Sequence, residues 1–288
     1  MTLTLDLDPT TASRPRRDGP GALLVWRLEM GKLGRQLRVR IATAVCLVSP
    51  FLLLAAVKAQ GAVPSDTLFG QWLHQSGYAL PMVVLAFAGQ WLLPLLTSVV
   101  AGDIFSAEDH HGTWKTVLTR SRSRNQIFAG KTFAAVTYTL GELGLLAVSS
   151  LAAGALLGAR PVVGLTGQLV APGRAVPMVL ASWGTQAAPQ LAFCAMAVTF
   201  SVASRSSPAG IGGPLVVGLL VQMASFITLP SGLRSALPGT AFGSWHGIWT
   251  EPTFYGPLAS GTAVSLAWFG AFVLVSWLLF RRRAVAAW

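Results

Sequence analysis

The residues that most resemble a catalytic motif are Gly130-Lys131-Thr132, which match the end of a phosphate-binding P-loop. A working P-loop also has a glycine five residues before the Gly-Lys pair, so that bare backbone amides can wrap the phosphates. Asn125 occupies that position here, and a basic hydrophilic segment stands where a buried strand should precede the motif. We therefore predict no nucleotide site, and interpret Lys131 as a cytoplasmic anchor at the start of the third span.

Two other groupings of reactive side chains also lack the pattern of a working site. His110 and His111 follow Glu108 closely, but adjacent histidines seldom point at the same metal ion, so we expect no metal site. Ser244 and His246 have no nucleophile-elbow sequence around them. The chain is therefore not expected to be an enzyme.

Polar side chains within apolar stretches form a second set of candidates. Glu142 has Tyr138 one turn before it, and a carboxyl at bilayer depth normally faces a bundle interior or an aqueous cavity. It would contact a transported molecule, carry a proton, or serve packing as a protonated hydrogen-bonding group. Gln90, Gln186 and Gln190 either join that pathway or bond neighbouring helices, and we favour bonds between helices.

The amino-acid composition indicates the kind of fold that positions these candidate residues. The chain is 53% hydrophobic and only 11% charged, whereas soluble domains carry about 25% charged residues. The formal net charge of +11 would indicate nucleic acid in a soluble protein, but in a membrane protein it reports topology, so no nucleic-acid partner is expected. We predict an all-α integral membrane protein with six transmembrane helices. The six apolar stretches are about 41–59, 78–102, 128–157, 177–203, 209–229 and 261–280.

The positions of the basic residues orient these spans. Seventeen of the 21 Lys and Arg residues fall in the N-terminal region, the loop 103–131, the short connector at Arg205 and the C-terminus. Basic residues concentrate on the cytoplasmic side, so both termini are predicted to be cytoplasmic in a multi-pass protein of the cell membrane. The opposite side carries Lys58, Arg160, Arg174 and Arg234.

The chain on either side of the spans has its own patterns. Residues 1–20 are polar and expected to be disordered, and residues 21–40 are expected to form an amphipathic helix in the lipid headgroup layer or simply a basic flank of the first span. The segment 230–260 is predicted to form short helices that dip into the outer leaflet. The apolar stripe of the first helix is Leu23, Trp26, Met30, Leu33 and Leu37.

The loop after the second span has the features of a docking element. Ser106 is a candidate N-cap with an acid three residues on. Trp114, Val117 and Leu118 recur at helical spacing, which predicts a short helix with an apolar face. From these residues alone, that face would lie either in a groove of a partner protein or on lipid headgroups.

This loop resembles the first cytoplasmic loop of the ABC-2 class of ABC transporter permeases. That family has an acidic residue, Gly-Thr, a short helix, a Ser-Arg pair and a Gly-Lys that opens the third span. The matching residues are Glu108, Gly112-Thr113, Trp114 to Leu118, Ser123-Arg124 and Gly130-Lys131. The sequence Gly-Thr-Trp-Lys most resembles that of peptide-antibiotic and lantibiotic immunity permeases. One difference is that Ser121-Arg122 occupies the place where many members of the family have a proline.

The resemblance implies a permease half of an ATP-driven exporter. Two permease chains, identical or related, would pair with two separate ATPase subunits that bind ATP and Mg, and membrane lipids would surround them. The cargo would be a drug, peptide antibiotic or lipid. The residues implied to couple the ATPase to the spans are Glu108, Gly112, Thr113, Trp114, Lys115, Val117 and Leu118.

Two other function classes remain at this point. A secondary transporter could use Glu142 for proton coupling, but such proteins commonly have more spans in repeated halves, and no repeat is seen here. A membrane-bound enzyme or scaffold is the third possibility, although the reactive side chains are scattered along the chain.

Overall fold

A computed structural model of the protein describes residues 21–60, 69–73, 75–114, 123–224, 232 and 236–282. Ten α-helices account for most of these residues. They are α1 (Gly21–Leu33), α2 (Leu37–Gln60), α3 (Ala79–Phe87), α4 (Leu93–Ala101), α5 (Ser106–His110), α6 (Arg124–Ala155), α7 (Pro172–Thr185), α8 (Ala187–Ser204), α9 (Ser207–Ala224) and α10 (Gly256–Arg282).

The predicted all-α membrane architecture is confirmed. Within the described residues, 5 helical stretches are long and apolar enough to cross a bilayer: α2, α3 with α4, α6, α7 with α8, and α10. The predicted fifth span, 209–229, corresponds to α9, a shorter apolar helix of 18 residues, and the rest of that span lies outside the described residues. At 1.5 Å per residue α9 extends about 27 Å, close to the thickness of the hydrocarbon layer.

The N-terminal helix is shorter than the sequence predicts. α1 ends at Leu33, and α2 begins at Leu37 after a turn at Gly34, a residue that disfavours helix continuation. Leu37 therefore belongs to the first span and not to the apolar stripe of the first helix. Residues 1–20 lie outside the described part of the chain.

The third span begins earlier than the sequence predicts. Ser123 Oγ accepts a hydrogen bond from the Gln126 backbone N–H at 3.3 Å, and Gln126 Oε1 accepts one from the Ser123 N–H at 3.2 Å. This capping box starts α6 at Arg124 and not at residue 128. Lys131 consequently lies two turns inside the helix.

Two of the predicted spans are interrupted in the structure. Between α3 and α4, residues Ala88–Leu92 form a π-helical turn in which the Leu93 N–H donates to the Ala88 carbonyl. Pro94 follows directly and has no N–H to continue the regular pattern. Between α7 and α8, Gln186 separates the two helices. Such irregular turns re-aim side chains inside the membrane.

A small hairpin and a 3₁₀ helix form the described connections at the other end of the bundle. Val162–Val163 pairs with Leu169–Val170 in a small antiparallel hairpin. The described part of segment 230–260 contains one 3₁₀ helix, Pro238–Trp249, which packs on α7 and α10. Trp249 is buried, and its Nε1 donates to Ser182 Oγ at 2.9 Å. Extensive packing between α8 and α10, and between α6 and both α1 and α2, forms the core.

Candidate functional site

α5, a single helical turn, is held against α8 and α9 by backbone and hydroxyl groups. The backbone N–H groups of Phe105 and Ser106 each donate to Ser201 Oγ at 3.0 Å. Ser106 Oγ donates to the carbonyl of Gly102 at 3.1 Å, so it does not cap the helix as the sequence predicts. A Cβ at Gly102 would lie 2.3 Å from the carbonyl oxygen of Gly210, which shows why this close approach requires glycine.

Glu108 of α5 binds Lys131 of α6. Lys131 Nζ lies 3.0 Å from Glu108 Oε1 and donates to the carbonyl of Ile104 at 3.0 Å. Lys131 is only 1% exposed, and an ammonium removed from water requires such partners. Lys131 therefore holds this end of α6 through buried partners within the same chain. The acidic residue and the Gly-Lys pair of the sequence motif meet in a buried ion pair.

α1 completes this arrangement with a second acid and a second lysine. Glu29 Oε1 lies 3.1 Å from Lys131 Nζ and 3.0 Å from Lys32 Nζ, and Lys32 Nζ lies 3.0 Å from Glu108 Oε1. Acids and lysines thus alternate around a closed ring whose formal charges cancel. We call Glu29, Lys32, Glu108 and Lys131 the charge cluster.

Close packing of α1 on α6 makes the cluster possible. A Cβ at Gly130 would lie 2.5 Å from Val25 Cβ, so the small residue beside Lys131 lets α1 approach. Two turns beyond Gly130 on α6, Thr137 Oγ1 accepts a hydrogen bond from Trp26 Nε1 at 3.1 Å, and the Trp26 ring lies 5.6 Å from that of Phe133. α1 is therefore attached to α6 by packing as well as by charge.

The electrostatics of the cluster favour the ionised forms of Glu108 and Lys32. Burial alone would raise the pKa of Glu108, but the charge of Lys131 and hydrogen bonds from Thr113, Lys32 and Lys131 outweigh it and lower the pKa to about 2. Partial burial would lower the pKa of Lys32, yet Glu29 and Glu108 raise it. Thr113 Oγ1 donates to the second oxygen of Glu108, so the Gly-Thr part of the motif also binds this carboxylate.

Trp114 packs partly against its own chain. Its ring stacks on Phe105 with centroids 6.5 Å apart and lies 5.5 Å from the ring of Phe280 near the end of α10. The sequence predicts that Trp114 leads an apolar face displayed to a partner, whereas this ring is half-buried within the chain. Gly112 has φ +62°, a left-handed conformation that turns the chain after α5. Lys115, Val117 and Leu118 lie outside the described residues.

Several residues of this site were missed by the sequence reasoning. Glu29 offers a recognisable signal, because it falls between Trp26 and Leu33 on the apolar side of α1. Arg38 forms an ion pair with Asp103, joining the start of α2 to the turn after α4. No local pattern marks that pair, because its members are far apart in sequence. Among the described residues, no three His, Cys, Asp or Glu side chains are placed to hold a metal ion.

Glu142 and Tyr138 lie at the interface of α2 and α6. Glu142 is 5% exposed, and its Oε1 accepts a hydrogen bond from Thr43 Oγ1 at 2.6 Å. Cys46 and Tyr138 adjoin the same carboxyl group. Two turns along α6, Ser149 Oγ donates to a backbone carbonyl of α2 at 2.6 Å. These contacts describe a bond between two helices.

The glutamines divide between helix contacts and a cavity. Gln186 Nε2 donates to the carbonyl of Phe242 at 3.0 Å, and Gln190 Nε2 donates to the carbonyl of Gly89 at 2.9 Å. Gln90 lines a cavity of about 180 Å³ between the α3–α4 stretch, α8, α9 and α10. Of the five candidate pathway residues, Gln90 alone is among the described residues that line this cavity.

Comparison with known families agrees with this architecture. The profile of the ABC-2 family transporter protein matches residues 25–220, more than half of the chain and all of the charge cluster. The chain belongs to the ABC-2 transporter family. None of the curated proteins compared with it gives a match.

Membership makes the protein the membrane-embedded permease of an ABC transporter, a subunit that is not itself catalytic. The triplet Gly130-Lys131-Thr132 of this permease is helical, and its lysine binds carboxylates and a carbonyl of the same chain. It has neither the loop backbone nor the phosphate-facing ammonium of a P-loop.

Proposed function

We propose that this permease exports a hydrophobic or amphipathic molecule, such as a drug, a peptide antibiotic or a lipid. A separate ATPase would drive export by docking on the loop between α4 and α6. Two permease chains, identical or related, would work with two ATPase subunits, which bind the ATP and Mg. Family membership and the arrangement of this loop support the proposal.

The charge cluster is the observation that carries the proposal. The ion pair of Glu108 with Lys131 joins α5, which lies in the loop, to α6, a span of 32 residues. Glu29 and Lys32 connect α1 to the same two side chains. Removing one partner from a buried ion pair is strongly destabilising, so these elements resist separation. A displacement imposed on α5 by an ATPase would therefore reach α6.

Two further contacts extend this connection to other spans. The ion pair of Arg38 with Asp103 attaches the turn before α5 to the start of α2. The contact of Trp114 with Phe280 attaches the segment after α5 to the end of α10. The loop is thus bound to the first, third and last spans, and movement at one place would be shared among them.

The distribution of basic residues supports a cytoplasmic position for this loop and for both termini. Arg124, Arg281 and Arg282 lie at the same end of the bundle as the charge cluster, and Arg124 Nη1 donates to the carbonyl of Arg281 at 3.2 Å. The hairpin at Leu169 lies at the opposite end, which would face outward.

The proton-coupled alternative has less support. Glu142 binds Thr43 between two packed helices and is not among the described residues that line the cavity. We therefore assign Glu142 to packing in this proposal.

Cysteine cross-linking tests the docking of the ATPase. His111 is exposed beside the charge cluster, and the native Cys46 and Cys194 are buried, so His111→Cys introduces one reactive thiol. We expect a bifunctional reagent to join it to the co-expressed ATPase, identified by an intact P-loop encoded in a neighbouring gene.

Leu169→Cys is the matched control, because Leu169 is 75% exposed in the hairpin. It should react with a membrane-impermeant thiol reagent added outside cells and give no ATPase adduct. An adduct from Leu169→Cys, or none from His111→Cys in a complex that co-purifies, would contradict docking at this loop.

A further inference from the structure

The cavity bounded by Gln90 is built by the irregular parts of the bundle. The π-helical turn directs Gln90 and Trp91 toward it, and Pro94 and Pro189 line the same region. Gln90 lies near the middle of the α3–α4 stretch, and Trp268 near the middle of α10. The cavity is therefore placed at the depth of lipid hydrocarbon chains.

The cavity opens to the side of the protein. Three residues of its lining remain exposed: Trp91 at 49%, Leu219 at 47% and Trp268 at 37%. They belong to three different helical stretches and are all large and apolar. In a bilayer, such a mouth faces acyl chains and not water.

The chemistry of the lining restricts what can bind. Among the described residues that line the cavity none is ionisable, and its polar side chains are the amides of Gln90 and Gln222. Gln222 Nε2 donates to Gln90 Oε1 at 3.4 Å. A charged group would find no counter-ion here, whereas a hydrocarbon chain would be buried and a hydroxyl or carbonyl would meet an amide.

We propose that this cavity binds a hydrocarbon chain of a membrane amphiphile, which enters from the bilayer and places a neutral hydroxyl or carbonyl against Gln90. The site lies within one permease chain and goes beyond the proposed export function, since it assigns a place and a ligand chemistry that ATPase docking does not require.

Photolabelling in nanodiscs tests the site. The full-length permease is reconstituted in phosphatidylcholine containing a phosphatidylcholine probe with a diazirine midway along one chain, and labelled residues are mapped by mass spectrometry. We expect labels on Phe193, Met196 and Phe272, which line the cavity behind its mouth.

Leu219→Trp should obstruct the mouth and reduce this labelling severalfold, because the larger indole occupies the path by which the chain enters. Leu220→Trp is the matched control: Leu220 is 60% exposed on the same helix but is not part of the lining, so labelling should not change. Equal labelling in both variants would overturn the proposal. Absence of label from the lining, as when a second chain covers this face, would also overturn it.

A second probe tests the amides. A hydroxyl on the diazirine-bearing chain should raise labelling about fivefold over the plain chain, as one added hydrogen bond would. Gln90→Leu should abolish that preference and leave labelling by the plain chain intact. Preference retained in Gln90→Leu would contradict the assignment. No ATPase is present in these experiments, so their outcome is independent of the proposed function.

Discussion

Two regions of this permease stabilise a buried carboxyl group in different ways. In the charge cluster, Glu108 and Glu29 are neutralised by two lysines from neighbouring helices. Deeper along α6, Glu142 accepts a hydrogen bond from the neutral hydroxyl of Thr43. The first arrangement holds charge and joins elements from different parts of the chain. The second holds a carboxyl group at the contact of two helices.

The contrast indicates that the two regions have separate roles. Charged pairs depend on every member, because removal of one leaves another charge buried without compensation. A hydroxyl–carboxyl bond is weaker and tolerates an amide in place of the acid. The loop between α4 and α6 should therefore be sensitive to single substitutions, while the Glu142 contact should not.

The largest effect is expected from Lys131→Met. This change leaves Glu29 and Glu108 with only the half-exposed Lys32, so the free energy of unfolding should fall by about 3–5 kcal/mol. Thermal unfolding of the purified permease in detergent measures it. Lys58→Met, an exposed position at the end of α2, is the control and should have little effect.

A double substitution sharpens this test. Adding Glu108→Leu to Lys131→Met removes a buried charge that the single variant leaves behind, so part of the lost stability should return. If the losses in unfolding free energy of the two single variants add up to that of the double variant, Glu108 and Lys131 do not stabilise each other.

Acid should weaken the loop through Glu108. Its pKa falls from the ordinary 4.5 to about 2 on folding, so its contribution is fully present above pH 4.5 and is lost as pH falls toward 2. That difference corresponds to about 3 kcal/mol at most. The unfolding temperature of the wild type should drop between pH 5 and pH 3 by more than that of Glu108→Gln. Parallel curves for both proteins would contradict the assignment.

A smaller, local effect is expected from Trp114→Ala. Trp114 is half-buried between Phe105 and Phe280, so its removal should cost about 2 kcal/mol, less than for a fully buried tryptophan. Amide hydrogen exchange should accelerate in residues 106–114, and Phe280→Ala should accelerate the same peptides. Unchanged amide exchange in both variants would contradict the contact of the Trp114 ring with Phe280.

The smallest effect is expected from Glu142→Gln. The amide oxygen can still accept from Thr43, so stability should change by about 1 kcal/mol or less. Assembly with the ATPase and its hydrolysis rate should also persist. Loss of hydrolysis in a correctly assembled Glu142→Gln complex would return this carboxyl group to a functional role.

Much of the architecture was predictable because it depends on local composition. Apolar length predicts the spans, and the order of Glu108, Gly112-Thr113 and Gly130-Lys131 predicts the family that the profile match establishes. The residues at which the helices begin and end were less predictable. The capping box at Ser123 and the turn at Gly34 move two helix ends, although both carry recognisable residues.

The site itself could not be derived from the sequence, because its contacts join distant residues. Glu29 and Lys131 are far apart in the chain, and nothing in the sequence around Lys131 shows that α1 covers it. The apolar pattern around Trp114 is compatible with contact to a groove of a partner protein and equally with contact to Phe280 of the same chain. Tertiary packing decides between such alternatives, and spacing along one helix does not.

The central claim is that the charge cluster transmits movement of the ATPase to α6. Amide hydrogen exchange of residues 124–135 tests it directly in the permease–ATPase complex in nanodiscs, with and without ATP and vanadate. We predict that trapping the nucleotide changes exchange in these residues for the wild type and for His110→Ala, an exposed neighbour of Glu108. In Glu108→Gln the ATPase should remain bound while this response disappears. An undiminished response in Glu108→Gln would contradict the account.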